Sequence, residues 1–128
     1  MSDGARDVAL GFVRAFESGD MAALGKLMAD DFVAHVTTAD AGVRVVDRAG
    51  YLESVGAMDV ASANLELEVP NIVEIDAQRV LAMVVVRARR GGTTLHNFSG
   101  QLVTVVDGRL TELWMVDALP AESYEFWS

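Results

Sequence analysis

The chain has 128 residues, of which 52% are hydrophobic and 23% charged, a balance typical of one globular domain with its own core. A net charge of -9 argues against nucleic acid or an anionic membrane as partner, since both select clustered Lys and Arg. The absence of cysteine excludes disulfides and thiolate chemistry. No basic segment followed by an apolar one opens the chain, so we expect no signal peptide, and a single cytoplasmic domain over residues 1–128.

Three helices are predicted in the first half of the chain. Apolar residues recur at helical spacing before Gly19, which suits a left-handed helix end. Asp20 and Asp47 are residue types that accept hydrogen bonds at a helix start, so each is expected to cap a helix. The predicted elements are helices over about residues 3–18, 21–29 and 48–57, a strand over 32–37 and a turn over 39–42.

The second half of the chain is rich in β-formers separated by short polar turns. Gly91-Gly92 and Asp107-Gly108 supply the positive φ angles that tight hairpins require. Pro70 interrupts one run, which indicates an edge position or a bulge. Helices followed by an antiparallel meander predict an α+β fold in which the helices cover one face of a curved sheet. The predicted strands span residues 65–76, 80–89, 94–106 and 109–117.

The last predicted strand alternates over eight residues and ends on an acid. One face carries Leu110, Glu112, Trp114 and Val116, and the other carries Thr111, Leu113, Met115 and Asp117. An apolar wall with a carboxylate at its rim is what a small-molecule pocket needs, although an ordinary strand end has the same pattern.

Two segments carry a resemblance to a known family: FVRAFESGDMAALGKLMADDFVAHV at positions 12–36 and DGRLTELWMVDALP at positions 107–120. They resemble the NTF2-like superfamily, in particular its branch of SnoaL-like and ketosteroid-isomerase-like proteins. The resemblance implies a cone in which the sheet wraps around the first helix and leaves an apolar cavity open at one end. It also implies a homodimer through the outer sheet face, where Trp114 is expected beside Leu110 and Val116.

The isomerase's catalytic positions are not matched. The resemblance places Phe12 where that family has a Tyr and Val36 where it has its Asp base. The second acid falls on Gln101 or Leu102. Because Phe and Val carry no exchangeable proton, ketosteroid isomerase chemistry is not expected.

The SnoaL-like cyclases instead use a carboxylate in the pocket, and by that resemblance Asp117 is the candidate acid/base. Many relatives have the acid directly after the Trp, where this chain has Met115. Asp117 lies two residues later. His96, on a neighbouring strand, is a candidate to pair with Asp117 as an oriented imidazole, or is an ordinary strand histidine. His35 is a candidate ligand contact, although alternation from Val36 turns it outward.

The remaining candidates line the expected cavity. The hydroxyl of Tyr51 could reach it from the third helix. The two histidines share no metal-ligand spacing with each other or a carboxylate, so neither a metal nor another cofactor is expected. The expected ligand-binding residues are Phe12, His35, Tyr51, Gln101, Leu113 and Met115.

The sequence leaves three functions open. The first is binding of a small, largely apolar organic molecule, with proton transfer by Asp117. The second is a non-catalytic ligand-binding or interaction module of the same fold. The third is an epoxide hydrolase, which needs an Asp-Arg-Asp cluster. Asp117 and Arg87 could supply two of its three members. Arg87 belongs to an arginine cluster beside Gly91-Gly92 that is a solvated hairpin tip or a salt-bridge partner. The aromatic tail after Pro120 is expected to pack on the body or on a second subunit.

Overall fold

The computed structural model describes residues 4–128, which form helices packed against one six-stranded sheet. The helices are α1 (Ala5–Ser18), α2 (Met21–Leu27), α3 (Arg48–Met58) and α4 (Pro120–Trp127), with a 3-10 turn at Val60–Ala63. The strands are β1 (Met28–Thr37), β2 (Val43–Asp47), β3 (Glu66–Glu74), β4 (Arg79–Arg90), β5 (Thr93–Val106) and β6 (Arg109–Asp117).

The predicted helix ends are formed by the expected residues. Gly19 ends α1 in the left-handed region at φ 70°. Asp20 caps α2 by accepting from the backbone N–H of Ala23 at 3.0 Å, and Asp47 caps α3 by accepting from Gly50 at 2.8 Å. Local chemistry therefore sets where α1 ends and where α2 and α3 begin.

The sheet has the order β2-β1-β6-β5-β4-β3, and all neighbouring strands are antiparallel except β1 and β6. Positive φ angles at Gly91 and Gly92, and again at Asp107 and Gly108, allow the two tight hairpins of the meander. The predicted α+β fold with a mainly antiparallel sheet is confirmed.

Strand β3 lies at one edge of the sheet, and its pairing with β4 shifts between Glu68 and Asn71. Pro70 lies within this irregularity, where the missing N–H interrupts no regular ladder. Both positions predicted for this proline, an edge strand and a bulge, are therefore found together.

The expected place of Leu110 beside Trp114 on the outer face is wrong. The register of β5 with β6 shifts, so that Val105 pairs with Leu110 and Thr104 with Glu112. This bulge resets the alternation, and Leu110 is fully buried on the same side as Leu113. Strict alternation of side chains, counted along the sequence, does not reveal the extra residue of a bulge.

Helix α1 lies across the concave face of the sheet and supplies much of the core. Phe12 is buried between the sheet and α3, and its ring centroid lies 6.0 Å from that of Tyr51. The core continues on the sheet through Phe32, Leu110 and Leu113. Of the helices in residues 4–128, none is both long enough and apolar enough to cross a membrane.

Candidate functional site

A cavity of about 100 Å³ lies between α1 and the concave face of the sheet. Most of its lining is apolar and comes from α1, α3 and strands β3 to β6. Polar groups enter at a few positions, three of them alternate residues of β5. The polar lining residues are Tyr51, Asn97, Ser99, Gln101, Asp117 and Ser123, and the apolar ones include Phe12, Phe16, Leu67, Val84, Met115 and Trp127.

A wider outer chamber of about 830 Å³ adjoins this inner cavity. Arg44 and Asp40 add charged groups to its lining, and Val36 and Val55 add apolar ones. Seven residues line both spaces and so mark the boundary between them: Phe16, Tyr51, Met58, Met115, Asp117, Ser123 and Trp127. Asp117 is the one carboxylate among these seven.

The position of Asp117 is fixed by the end of strand β6. Its backbone N–H donates to Thr37 Oγ1 at 3.0 Å, and that hydroxyl donates to the carbonyl of Met115 at 3.1 Å. The carboxylate Oδ1 accepts from the backbone N–H of Leu119 at 2.9 Å and from Asn97 Nδ2 at 2.5 Å. Both the backbone and one oxygen of the acid are therefore held.

Asn97 is a buried polar residue that the sequence analysis missed. It is 2% exposed, and its Oδ1 accepts from the backbone N–H groups of Phe98 at 2.8 Å and Leu119 at 3.1 Å. A signal for it existed, because counting back by two from Gln101 gives Ser99 and Asn97 on the same inward face. The side chain joins β5 to the segment that follows β6.

Tyr51 brings a hydroxyl from α3 to the same cavity. Its ring packs between Phe12 and Phe32, whose ring centroids lie 6.0 and 5.5 Å away. Burial raises the pKa of Tyr51, because an ionised phenol would be poorly solvated there. The hydroxyl therefore keeps its proton at neutral pH and can donate a hydrogen bond to a bound molecule.

Helix α4 forms one wall at the cavity mouth. Ser123 and Trp127 line both chambers, and Phe126 is buried against the body of the domain. Arg90 places its guanidinium 5.9 Å from the Phe126 ring and 5.4 Å from the Trp127 ring. The aromatic tail thus packs on the chain's own body.

A family model described as SnoaL-like domain matches residues 9–113 of this chain. The chain belongs to the SnoaL-like family. No curated protein matches its sequence.

Solved structures of similar fold agree with this assignment. A loop-truncation variant of IdmH is 27% identical, with a TM-score of 0.77 over 94% of this chain and 97% of the other. Wild-type IdmH, "a putative polyketide cyclase" from Streptomyces antibioticus, is 24% identical, with a TM-score of 0.76 over 97% and 99%. An LEH-like epoxide hydrolase from M. tuberculosis is 16% identical, with a TM-score of 0.77 over 95% and 88%. The cone-shaped NTF2-like fold expected from the sequence is confirmed.

The predicted pairing of His96 with Asp117 in this SnoaL-like domain is wrong. His96 lies on the outer face of β5, opposite Arg87 of β4, with its ring centroid 5.1 Å from that of Phe98. Alternation along β5 places the next residue, Asn97, inside. Asn97 therefore takes the position beside Asp117 that the histidine was expected to take.

His35 is also on the outer face, which contradicts its prediction as a ligand contact. Its ring stacks on Trp114 with centroids 3.7 Å apart, and its Nε2 lies 3.1 Å from Glu112 Oε2. Nowhere in residues 4–128 do three or more His, Asp and Glu side chains come together as they would around a metal ion.

Leu113 is the second predicted ligand contact that the structure corrects. It is 0% exposed and packs in the core beneath the cavity, so it does not reach the lining. The other predicted contacts, Phe12, Tyr51, Gln101 and Met115, line the inner cavity together with Asp117.

Arg87 cannot join Asp117 in a hydrolase cluster. It lies on the outer face of β4, half exposed, where its Nη1 is 3.3 Å from Glu68 Oε1 on β3. The inner cavity contains Asp117 and no arginine among its lining residues. Asp117 and Arg87 therefore do not form part of an Asp-Arg-Asp cluster, as the sequence had suggested.

Proposed function

We propose that this SnoaL-like protein binds a small, largely apolar carbonyl compound and transfers a proton at the carbon beside the carbonyl, with Asp117 as acid/base. Such a step begins an isomerisation, an aldol cyclisation or a dehydration. The observation that carries the proposal is the single carboxylate at the boundary between an apolar cavity and its mouth. A held carboxylate in an apolar pocket is suited to general base work.

The proton transfer uses two groups of the cavity lining. The Asp117 carboxylate accepts a proton from the α-carbon, and the C–H electron pair forms a carbon–carbon double bond while the carbonyl electrons move to oxygen. The Tyr51 hydroxyl, kept protonated by burial, donates a hydrogen bond to that enolate oxygen. Asp117 then returns its proton to the same or another atom of the substrate, which restores the carboxylate.

The size of the two chambers limits how the ligand lies. An apolar cavity of roughly 150 Å³ holds a benzene molecule, so the inner cavity of about 100 Å³ admits only a small reacting end. The rest of the molecule occupies the outer chamber of about 830 Å³ beside α4. The proposed substrate therefore has a compact carbonyl end attached to a larger apolar body.

A non-catalytic binding module of the same fold is the alternative. Phe12 and Val36, at two positions where the isomerase has acid/base groups, are apolar here and line the inner and outer spaces. Asp117 and Tyr51 would then serve only as hydrogen-bonding groups that orient a ligand. The two functions differ in whether a proton moves.

Exchange of α-protons in D₂O tests the proposal with a panel of cyclic ketones of increasing size, followed by ¹H NMR. We expect the wild type to accelerate exchange, Asp117→Asn to lose the acceleration, and the exposed control Asp31→Asn to retain it. Binding of the same ketones is followed by amide chemical shifts. Binding without exchange favours the non-catalytic module, and a wild type that neither binds nor exchanges any ketone contradicts the substrate class.

We further propose that the protein is a homodimer through its outer sheet face. Trp114 is 40% exposed there and Val116 61%, and both would be costly to leave in water over a continuous patch. Other exposed apolar residues on strands β2, β4 and β5 of the same sheet are Val43, Val45, Leu81, Met83 and Phe98. Burying such a face against a second copy is typical of stable dimers.

A further inference from the structure

We propose that Asn97 is a positioning residue that makes Oδ2 of Asp117 the oxygen that exchanges protons with the ligand. This inference rests on the proposed function, since it assigns the reacting atom of that acid. It concerns a residue with no titratable group of its own, placed by β5 against the end of β6.

The orientation of the Asn97 amide is determined by the backbone. Two N–H groups, from Phe98 at 2.8 Å and Leu119 at 3.1 Å, donate to one end of the amide. That end must be the oxygen, because an NH₂ group there would face two donors. The NH₂ group is therefore directed at Asp117 and cannot exchange places with the oxygen.

The two oxygens of Asp117 consequently differ. Oδ1 accepts from Asn97 Nδ2 at 2.5 Å and from the backbone N–H of Leu119 at 2.9 Å. These two donors occupy the acceptor positions of Oδ1 and leave little room for a proton there. Within residues 4–128 we find no hydrogen bond to Oδ2, so this oxygen is the one available to a ligand in the adjoining cavity.

A purely structural role for Asn97 would use different atoms from a positioning role. Linking β5 to the segment after β6 needs only the amide oxygen, which accepts from Phe98 and Leu119. Directing Asp117 needs the NH₂ group. Asn97→Asp separates the two, because it keeps an oxygen for the backbone donors and replaces the NH₂ donor by a second carboxylate oxygen.

Carboxyl ¹³C NMR of aspartate-labelled protein tests the contact without any substrate. In Asn97→Asp we expect the Asp117 signal to change with pH in two coupled steps, because two carboxyl groups then face each other. The matched control Asn71→Asp, at an exposed residue of β3, should leave the Asp117 curve unchanged. An Asp117 curve that is the same in the wild type and in Asn97→Asp overturns the proposal.

The wild type itself gives a second test in case Asn97→Asp does not fold. The side-chain NH₂ resonances of Asn97 should shift as Asp117 titrates, and should lose that shift in Asp117→Asn. NH₂ resonances that do not respond to Asp117 contradict the contact.

Activity then separates this inference from the proposed function. We expect Asn97→Asp to bind the cyclic ketones but to exchange their α-protons about ten- to a hundredfold more slowly, the range set by losing one hydrogen bond to a charged group. Full exchange by Asn97→Asp disproves the positioning role even if Asp117 is the base. An Asp117 titration without coupled steps in Asn97→Asp, together with an inactive Asp117→Asn, also rejects the positioning role of Asn97. The role of Asp117 as the base would then stand. A coupled titration in a protein that exchanges no ketone rejects the proposed function, and with it the reacting role of Oδ2, while the Asn97–Asp117 contact stands.

Discussion

Arg90 of β4 holds Trp127 of the C-terminal helix, with the guanidinium carbon 5.4 Å from the ring centroid. The same guanidinium donates through Nη2 to the carbonyls of Met58 at 2.6 Å and Asp59 at 2.9 Å, at the end of α3. One side chain therefore connects α3, which carries Tyr51, with the helix that walls the cavity mouth.

Replacing Arg90 by Ala should loosen α4 and lower stability. The contact with the aromatic rings and the hydrogen bonds together predict a loss of about 1–3 kcal/mol in the free energy of unfolding. Amide hydrogen exchange in Pro120–Trp127 should become faster, and urea denaturation gives the stability. Arg89→Ala, an exposed neighbour, is the control; unchanged α4 protection in Arg90→Ala would show that Arg90 does not hold the helix.

Replacing Trp114 by Glu should convert the proposed dimer to a monomer. The substitution places a charge in the centre of an apolar face and removes the ring on which His35 stacks. Light scattering at micromolar concentration measures the mass, and Tyr124→Glu, an equally severe change at an exposed residue of α4, should remain dimeric. A wild-type protein that is already monomeric contradicts the dimer outright.

Replacing Glu17 by Ala should destabilise the fold through the edge strand β3. Glu17 Oε2 accepts from the backbone N–H of Leu67 at 2.6 Å, and Arg14 donates to the carbonyl of Leu67 at 2.9 Å. These side chains of α1 satisfy backbone groups that no further strand pairs with. We expect a loss of about 1–3 kcal/mol in urea denaturation. The exposed Glu53→Ala is the control, and equal stability of the two variants would contradict the role of Glu17.

Local chemistry made much of the fold predictable from sequence. Asp47 caps α3 and Gly92 turns a hairpin because each acts on its own neighbours, within a few residues of the chain. Strand β2 was not predicted, since its residues are mostly exposed and show no alternating burial. It is a strand because it pairs with β1, and such pairing is a tertiary effect that no short window of sequence contains.

The site was predictable only where alternation along a strand stayed intact. Asp117 and Met115 point inward as counted, because no irregularity lies between them and Trp114. Leu110, before the bulge, points the opposite way to its prediction. His96, one residue before Asn97, was predicted as the partner of Asp117, because the sequence indicated which strands are neighbours but not their register.

Replacing Tyr51 by Phe should separate stability from function. Burial raises the pKa of Tyr51 above its usual value of 10.0, so the folded state binds the phenolic proton more tightly than the unfolded state does. The stability that this proton contributes is complete below about pH 10 and is lost as pH rises further, because the unfolded chain ionises first. The wild type should therefore lose more stability between neutral pH and pH 11 than Tyr51→Phe. Urea denaturation at several pH values measures this difference, with exposed Tyr124→Phe as the control.

At neutral pH, Tyr51→Phe should fold normally yet slow α-proton exchange, because the enolate oxygen loses its donor. Parallel pH curves for the two proteins would contradict the buried phenol, and unchanged exchange would remove Tyr51 from the mechanism.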